Sequence, residues 1–429
     1  MSIISQAAAP SPRSEERQLS VTLDDVVAAR SELEGVIVPT PMEHSRAMGR
    51  MLGATVHFKA ENLQRAGSFK VRGAYIRMSR LSAEEKACGV VAASAGNHAQ
   101  GVALAAKKLG ISARIFMPHG AALPKIAATK DHGAEVVLHG SNVDEALAEA
   151  QRCADETGAV IIHPFNHTDV VAGQGTIGLE ILEQQPEVDT VLMSIGGGGL
   201  IAGAAVALKA KAAEQGREIR IIGVQAENAA AYPPSLAADS VVQIKAAKRT
   251  IADGIAVGQP GEIPFDIIRE LVDDVVTVSE DAIAQALIFL LERSKMVVEP
   301  AGAVGVAALM EGKLEELGVD AKNIVTVLSG GNIDPMLMMR VIQHGLAAAQ
   351  RFLRVKIMLR DRPGELATIS RLIASTDANV TGVDHSPIGS DLSMGDVSIT
   401  ITMETKGTEH SSQVLDTLRA EGYEPMVLN

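Results

Sequence analysis

Residues 66–75 read AGSFKVRGAY, with one lysine, Lys70, between Phe69 and Val71 and three residues after Gly67. A lysine is ordinarily a solvated point charge. Here apolar neighbours on both sides, and glycines at 67 and 73 that permit close backbone approach, favour desolvation, which lowers a lysine pKa towards neutrality. Such an amine can form a Schiff base with an aldehyde. Three other segments carry chemistry. SIGGGGLIAG (194–203) reads as a strand ending in four glycines that open a helix, where backbone N–H groups and the positive helix end suit a phosphate. It matches neither GxGxxG nor a P-loop, because Leu200 and Ile201 follow Gly199. SAGNHAQG (94–101) is a strand-to-helix turn in which Ser94 or Asn97 can cap the helix, while the free N–H groups suit a carboxylate. VTVLSGGNID (325–334) sets Ser329 at the C-terminal end of a strand, the edge where open α/β sheets bind ligands. Each segment alone is also explained as a surface charge, a turn, a cap or a strand end.

The elements needed to hold these segments follow from periodicity. From about residue 55 to 348, apolar runs such as GVVAA, ARIFMP and AEVVLHG alternate with longer helical patterns. This is the rhythm of a parallel sheet. It continues through AVIIHP, DTVLMSI, IRIIGVQ, DDVVTVS and NIVTVLS, too many strands for one comfortable sheet. The expectation is an α/β body, residues 21–348, with two parallel-sheet subdomains around a cleft, the smaller spanning approximately 61–160 and inserted in the larger. Near residue 350 the pattern changes to period-two alternation in RVKIMLRD, then a helix with Leu366, Ile369, Leu372 and Ile373 on one face. The remaining segments complete a βαββαβ, ferredoxin-like order over 351–429. Residues 1–20, small and polar, read as a disordered leader.

Composition limits the partners. The 52 acidic against 39 basic residues give a formal charge of −13, which repels nucleic acid and anionic membranes. Aromatics at 2% with no Trp leave little to stack on bases. Two cysteines, Cys88 and Cys153, build no disulfide framework, and no apolar run reaches about 18 residues, so a cytoplasmic chain acting on small molecules is expected.

Together the motifs resemble pyridoxal-phosphate enzymes of the tryptophan-synthase-β type (fold type II), and among them the threonine dehydratases, or threonine ammonia-lyases. GSFKVRGA, SAGNHAQG, AGQGTIGLEI, GGGGLIAG, ADGIAV, VVEPAGA and LSGGNID stand in that family's order, with Ala66 where relatives often carry Thr. The resemblance implies pyridoxal 5′-phosphate held covalently by Lys70. Asn97 would bond the ring 3′-hydroxyl, Gly196, Gly197, Gly198, Gly199 and Leu200 would form the phosphate loop, and Ser329 would face the pyridine nitrogen. Phe69 and Gly254 would pack on the ring, and Ser94, Ala95, Gly96, Asn97 and His98 would grip the substrate carboxylate. A neutral serine at the nitrogen makes the ring a weaker electron sink, which suits β-elimination from threonine or serine.

Serine racemase is the nearest alternative, and that family carries a serine where this chain has Ala95, which has no proton to return. Racemases of this type also bind a divalent cation with two carboxylates; Glu227 can supply one, but Pro233 stands near the second position, so no metal site is expected. β-Replacement on the same cofactor, and a silent amino-acid sensor, are the other readings. The C-terminal part resembles an ACT domain, whose RDRPGEL loop implies an effector site at Arg362, Pro363, Gly364, Glu365 and Leu366 for isoleucine or valine, in a homo-oligomer (dimer or tetramer). His163 and His167 are assigned to loop packing, and Met336, Met338 and Met339 to core filling. Glu299 either faces the cofactor or caps the following helix.

Overall fold

The computed structural model describes residues 19–244, 249–348, 351–386 and 396–428, so the expected leader lies, through residue 18, outside the described residues. The chain forms two compact units that divide between Asp334 and Pro335.

In the first unit, six strands make one sheet in the order Met42–His44, Thr55–Lys59, Asn323–Val327, Thr190–Ser194, Arg220–Ala226 and Asp274–Val278. All neighbours are parallel except Met42–His44, which runs antiparallel to Thr55–Lys59. Thr190–Ser194 is buried at every position, as a parallel strand covered on both faces must be. A second sheet of four parallel strands runs Glu135–Leu138, Ala113–Met117, Val90–Ala93 and Val160–Ile161.

Three helices lock the chemistry-bearing segments together: Lys70–Ser79, Thr168–Gln184 and Gly199–Glu214. They meet backbone to backbone through glycine. A Cβ on Gly173 would lie 2.7 Å from Gly73 Cα, and one on Gly203 would lie 2.1 Å from the Val171 carbonyl oxygen. The helix that begins at Lys70 and the helix that begins at the glycine bend are therefore both fixed against one central helix.

The second unit holds an antiparallel sheet in the order Asn379–Ser386, Asp396–Glu404, Phe352–Arg360, Met426–Val427. Helices Glu365–Ser375 and Thr408–Ala420 cover one face, their Ile369, Ile373, Val414 and Leu418 packing on Val355, Ile357, Ile399 and Ile401. Helix Pro335–Ala348 belongs to this unit. Two expectations fail: Leu366 is 39% exposed rather than on the packed helix face, and Met336 (57%) and Met339 (44%) are surface rather than core residues. Leu366 sits in the first turn, beyond the end of the sheet-facing stripe. Among the described residues, no helix is long and apolar enough to cross a membrane.

Candidate active site

Lys70 opens its helix with Phe69 as N-cap. Its strand-like approach is stitched to the Ser329 segment: Phe69 N donates to Ser329 O at 3.2 Å, Gly331 N donates to Gly67 O at 2.9 Å, and Ser68 pairs with Gly330. The amine donates to the Pro164 carbonyl at 3.2 Å and lies 5.1 Å from the centre of the Phe69 ring. Burial pulls its pKa down to about 8, against an opposing pull from Glu299. At neutral pH roughly a tenth of such amines are uncharged, against well under a thousandth for an ordinary lysine.

Pro164 leads directly to the glycine bend, because the next residue, Phe165, packs on it: a Cβ on Gly197 would fall 2.3 Å from the Phe165 ring. A Cβ on Gly198 (φ +99°) would fall 2.0 Å from the Tyr232 hydroxyl, and one on Gly196 would fall 3.1 Å from Ile255 Cα. Tyr232 Oη and Gly261 N both donate to the Gly197 carbonyl at 3.1 Å, which anchors the bend through its oxygen. The helix Gly199–Glu214 starts there, so the N–H groups of Gly199, Leu200 and Ile201 have no intrahelical acceptors. Bare backbone donors at a helix N-terminus, with no side chain in the way, fit a phosphate.

Ser329 is buried, and its hydroxyl accepts from Ser194 Oγ at 3.2 Å. Gly254 lies beside Glu299; a Cβ there would sit 2.9 Å from Ala301 Cβ and 3.6 Å from Glu299 Oε1. In the loop 94–98, Gly96 is the N-cap and neither Ser94 nor Asn97 caps the helix through its side chain. Ser94 Oγ instead accepts from Gly96 N at 3.1 Å. His98 Nε2 donates to Ile162 O at 2.7 Å, and burial with the nearby Lys70 charge pushes its pKa down to about 3. His163, pushed down to about 4 by the same causes, accepts at Nδ1 from Phe165 N and Asn166 N. His167 caps the helix Thr168–Gln184. Both of the histidines closest to Lys70 are thus neutral and bring no competing charge.

Glu299 stands at the N-cap position of the helix Pro300–Met310, but its side chain makes no cap hydrogen bond. Its buried carboxyl accepts from Asn97 Nδ2 at 2.5 Å, and burial together with Asp253 raises its pKa to about 7, against Lys125, Asn97 and Lys70. Asn332 is a participant that the sequence reading missed: its Nδ2 donates to Ala66 O and Asn97 Oδ1, both at 2.8 Å. Nothing in its sequence context separates it from a loop asparagine. Also missed is a buried ion cluster two residues from the lysine. Arg72 donates from Nε and Nη2 to Glu61 (2.9 and 2.7 Å) and from Nη1 to Glu180 (2.6 Å), while Lys59 donates to the other Glu180 oxygen at 2.6 Å. Burial opposes the Arg72 charge, but Glu61 and Glu180 outweigh it and hold the guanidinium charged.

In the second unit, Gly364 (φ +98°) precedes the helix Glu365–Ser375, and Arg362, Pro363 and Gly364 are exposed. Arg362 and Glu365 line a groove of about 750 Å³ together with Arg360, Arg419, Tyr423 and Met426, and Tyr423 donates to Glu365 at 3.0 Å. Among the described residues there is no group of three or more His, Cys, Asp or Glu placed to hold a metal.

Residues 33–330 match the pyridoxal-phosphate-dependent enzyme family, and residues 353–422 match the ACT domain. An L-threonine ammonia-lyase of Thermotoga maritima is 44% identical over 95% of this chain and 100% of its own. Among solved structures, a threonine deaminase from T.th. is 40% identical with a TM-score of 0.68, covering 73% of this chain and 99% of that one. Maize serine racemase is 36% identical with a TM-score of 0.71, covering 77% and 99%. The chain belongs to the pyridoxal-phosphate-dependent enzymes of fold type II, and within them to the threonine ammonia-lyases. Its cofactor is pyridoxal 5′-phosphate, and its second unit is an ACT domain.

Proposed function

We propose that this enzyme converts L-threonine to 2-oxobutanoate and ammonia, and L-serine to pyruvate and ammonia. The observation that carries the reading is the placement of one desolvated amine, Lys70, between the Ser329 segment and Phe165, which covers the glycine bend. Bound there, pyridoxal phosphate supplies an electrophilic carbon for the substrate amine and a sink for the electrons of the Cα–H bond.

The chain's own residues do the rest. Lys70 would hold the cofactor's aldehyde carbon and would serve as the base for the substrate's Cα proton. The ammonium so formed is favoured by the nearby Glu299 charge. The glycine bend 196–199, with the N–H groups of Gly199 and Leu200 at the open helix end, would hold the phosphate. The loop 94–98 would hold the substrate carboxylate through the N–H groups of Ala95, Asn97 and His98, since Ser94 N donates to Phe116 O and Gly96 N to Ser94 Oγ. Phe69 and Gly254 would flank the ring, and Asn97 would meet its hydroxyl oxygen. Ser329 offers a neutral hydroxyl, so no charge holds a proton on the ring nitrogen. Charge at Cα is then short-lived, and a substrate that expels its β-hydroxyl as the Cα proton leaves is favoured. Water leaves in the elimination and is taken up again when the enamine hydrolyses, so the net products are the 2-oxo acid and ammonia.

The likeness to maize serine racemase motivates a second reading, isomerisation. Against it stands Ala95, whose methyl group has no proton to give. The ACT domain is proposed to bind isoleucine or valine at Arg362, Pro363, Gly364, Glu365 and Leu366 in a cytoplasmic homo-oligomer. Inhibition by isoleucine would place the enzyme in isoleucine biosynthesis, and indifference to it in threonine breakdown. The test is product analysis with L-threonine and L-serine, each repeated with isoleucine and valine. Equal amounts of 2-oxobutanoate and ammonia from threonine are expected; unreacted threonine, or D-serine as the main product from serine, overturns the reading.

A further inference from the structure

Two segments, through Glu299 and Asn332, converge on the side chain of Asn97, and their hydrogen bonds fix which way its amide points. A backbone carbonyl can only accept a hydrogen bond. Ala66 O lies 2.8 Å from one amide atom of Asn332, so that atom is Nδ2. The same NH2 group lies 2.8 Å from an Asn97 side-chain atom and 3.2 Å from Gln100 Oε1, so the Asn97 atom is the acceptor, Oδ1. The remaining Asn97 amide atom, 2.5 Å from Glu299 Oε1, is therefore the donor Nδ2. A flip would set Oδ1 against the Glu299 carboxyl and oppose two NH2 groups, losing both bonds at once.

The backbone makes room for this arrangement. A Cβ on Gly67 would lie 2.3 Å from Asn332 Oδ1, and one on Gly330 would lie 2.3 Å from Glu299 Oε1 and 2.9 Å from Asn97 Nδ2. Glu299 itself is 3% exposed, and its N–H is tied to Gly330 O at 3.0 Å, so the carboxyl has nowhere to swing.

We propose that Glu299 and Asn332 form a two-sided clamp on the Asn97 amide, making them positioning residues that commit Asn97 to offer its second N–H, a donor, to the cofactor's ring oxygen. This inference rests on the function proposed above. A donor there favours the ionised form of that oxygen, whose electronic state the visible absorption band reports.

The test compares the holoenzymes of the unmutated chain, Asn332→Asp, Asn97→Ala and the double variant. Asn332→Asp replaces the donor facing Oδ1 with an acceptor. It is expected to move the band and lower kcat about 10-fold, the size of coupling seen between directly bonded groups. Because Asn332 acts through Asn97, the double variant should be no worse than Asn97→Ala alone. An unmoved band in Asn332→Asp, or losses that multiply in the double variant, overturns the clamp. If Asn332→Asp does not fold, Asn332→Ala takes its place with the same expectations. On the other side, Glu299→Gln still accepts from Nδ2 and should keep the band, whereas Glu299→Leu should move it; equal displacement by both assigns the effect to charge and also overturns the clamp. An unmutated chain that takes up no cofactor would fail the functional proposal instead, before any variant is compared.

Discussion

Two clusters on one helix, Lys70 and Arg72, treat buried positive charge in opposite ways. Arg72 and Lys59 are fully buried, and each finds carboxylates: Glu61 and Glu180 accept from both faces of the cluster, with Thr40 and Thr176 adding hydroxyl contacts. Lys70 has a backbone carbonyl and an aromatic ring as neighbours, and a carboxyl that is itself half-neutral at pH 7. Desolvation is costly in both places. At Arg72 the paired carboxylates outweigh it and the guanidinium stays charged, a rigid ionic peg holding the helix; at Lys59 Glu180 and Glu61 offset it only in part and the pKa is still lowered; at Lys70 little opposes it, and it appears as a lowered pKa and a reactive amine. The difference explains how two residues in the first turn of one helix, about 200° apart around its axis, serve chemistry and structure separately.

The comparison can be broken from either side. Lys70→Ala should reduce lyase turnover below detection and abolish the visible absorbance of the bound cofactor, while the urea midpoint stays near that of the unmutated apo protein. A large loss of stability would mean that Lys70 is part of the peg. Arg72→Met should do the reverse, leaving Glu61 and Glu180 buried with reduced compensation and costing about 3–5 kcal/mol of stability. Denaturant titration reads this directly, and an unchanged midpoint would show that the cluster is dispensable. Gly203→Ala drives a methyl group into the Val171 carbonyl and should cost about 1–3 kcal/mol by forcing the helix that begins at the glycine bend away from the central helix Thr168–Gln184. The smallest effect is in pH. An amine reacts only when neutral, so with a pKa of about 8 the capture of pyridoxal phosphate by the apo protein should speed up as pH rises through about 8 and then level off. A rate still climbing towards the ordinary lysine range near 10.5 would show that Lys70 is solvated.

Much of the frame is legible in the sequence because parallel strands buried on both faces read as short apolar runs, as at Val90–Ala93 and Thr190–Ser194. Met42–His44 escapes notice because three residues carry no periodicity, and Thr55–Lys59 because its buried lysine mimics a surface charge. The motif segments around Lys70, the glycine bend, Asn97 and Ser329 stand out by residue type, but what joins them does not. Backbone bonds between residues 67–69 and 329–331, the packing of Phe165 on Gly197, and the Asn332 amide all depend on contacts between distant segments. Glu299 shows the limit well: its position before Pro300 is equally that of a helix cap, and only the approach of Asn97 distinguishes the two roles. Leu366 and the exposed methionines misled for a simpler reason, since apolar side chains at helix ends need not face a core.

The central claim is that the uncharged amine of Lys70, and no other, holds the cofactor's aldehyde carbon. Borohydride reduction of the cofactor-loaded enzyme, followed by digestion and peptide mass mapping, tests it most directly. The account predicts a single pyridoxyl-modified residue, Lys70. A modification at Lys59, at Lys125 or at any other lysine, with Lys70 untouched, would contradict it.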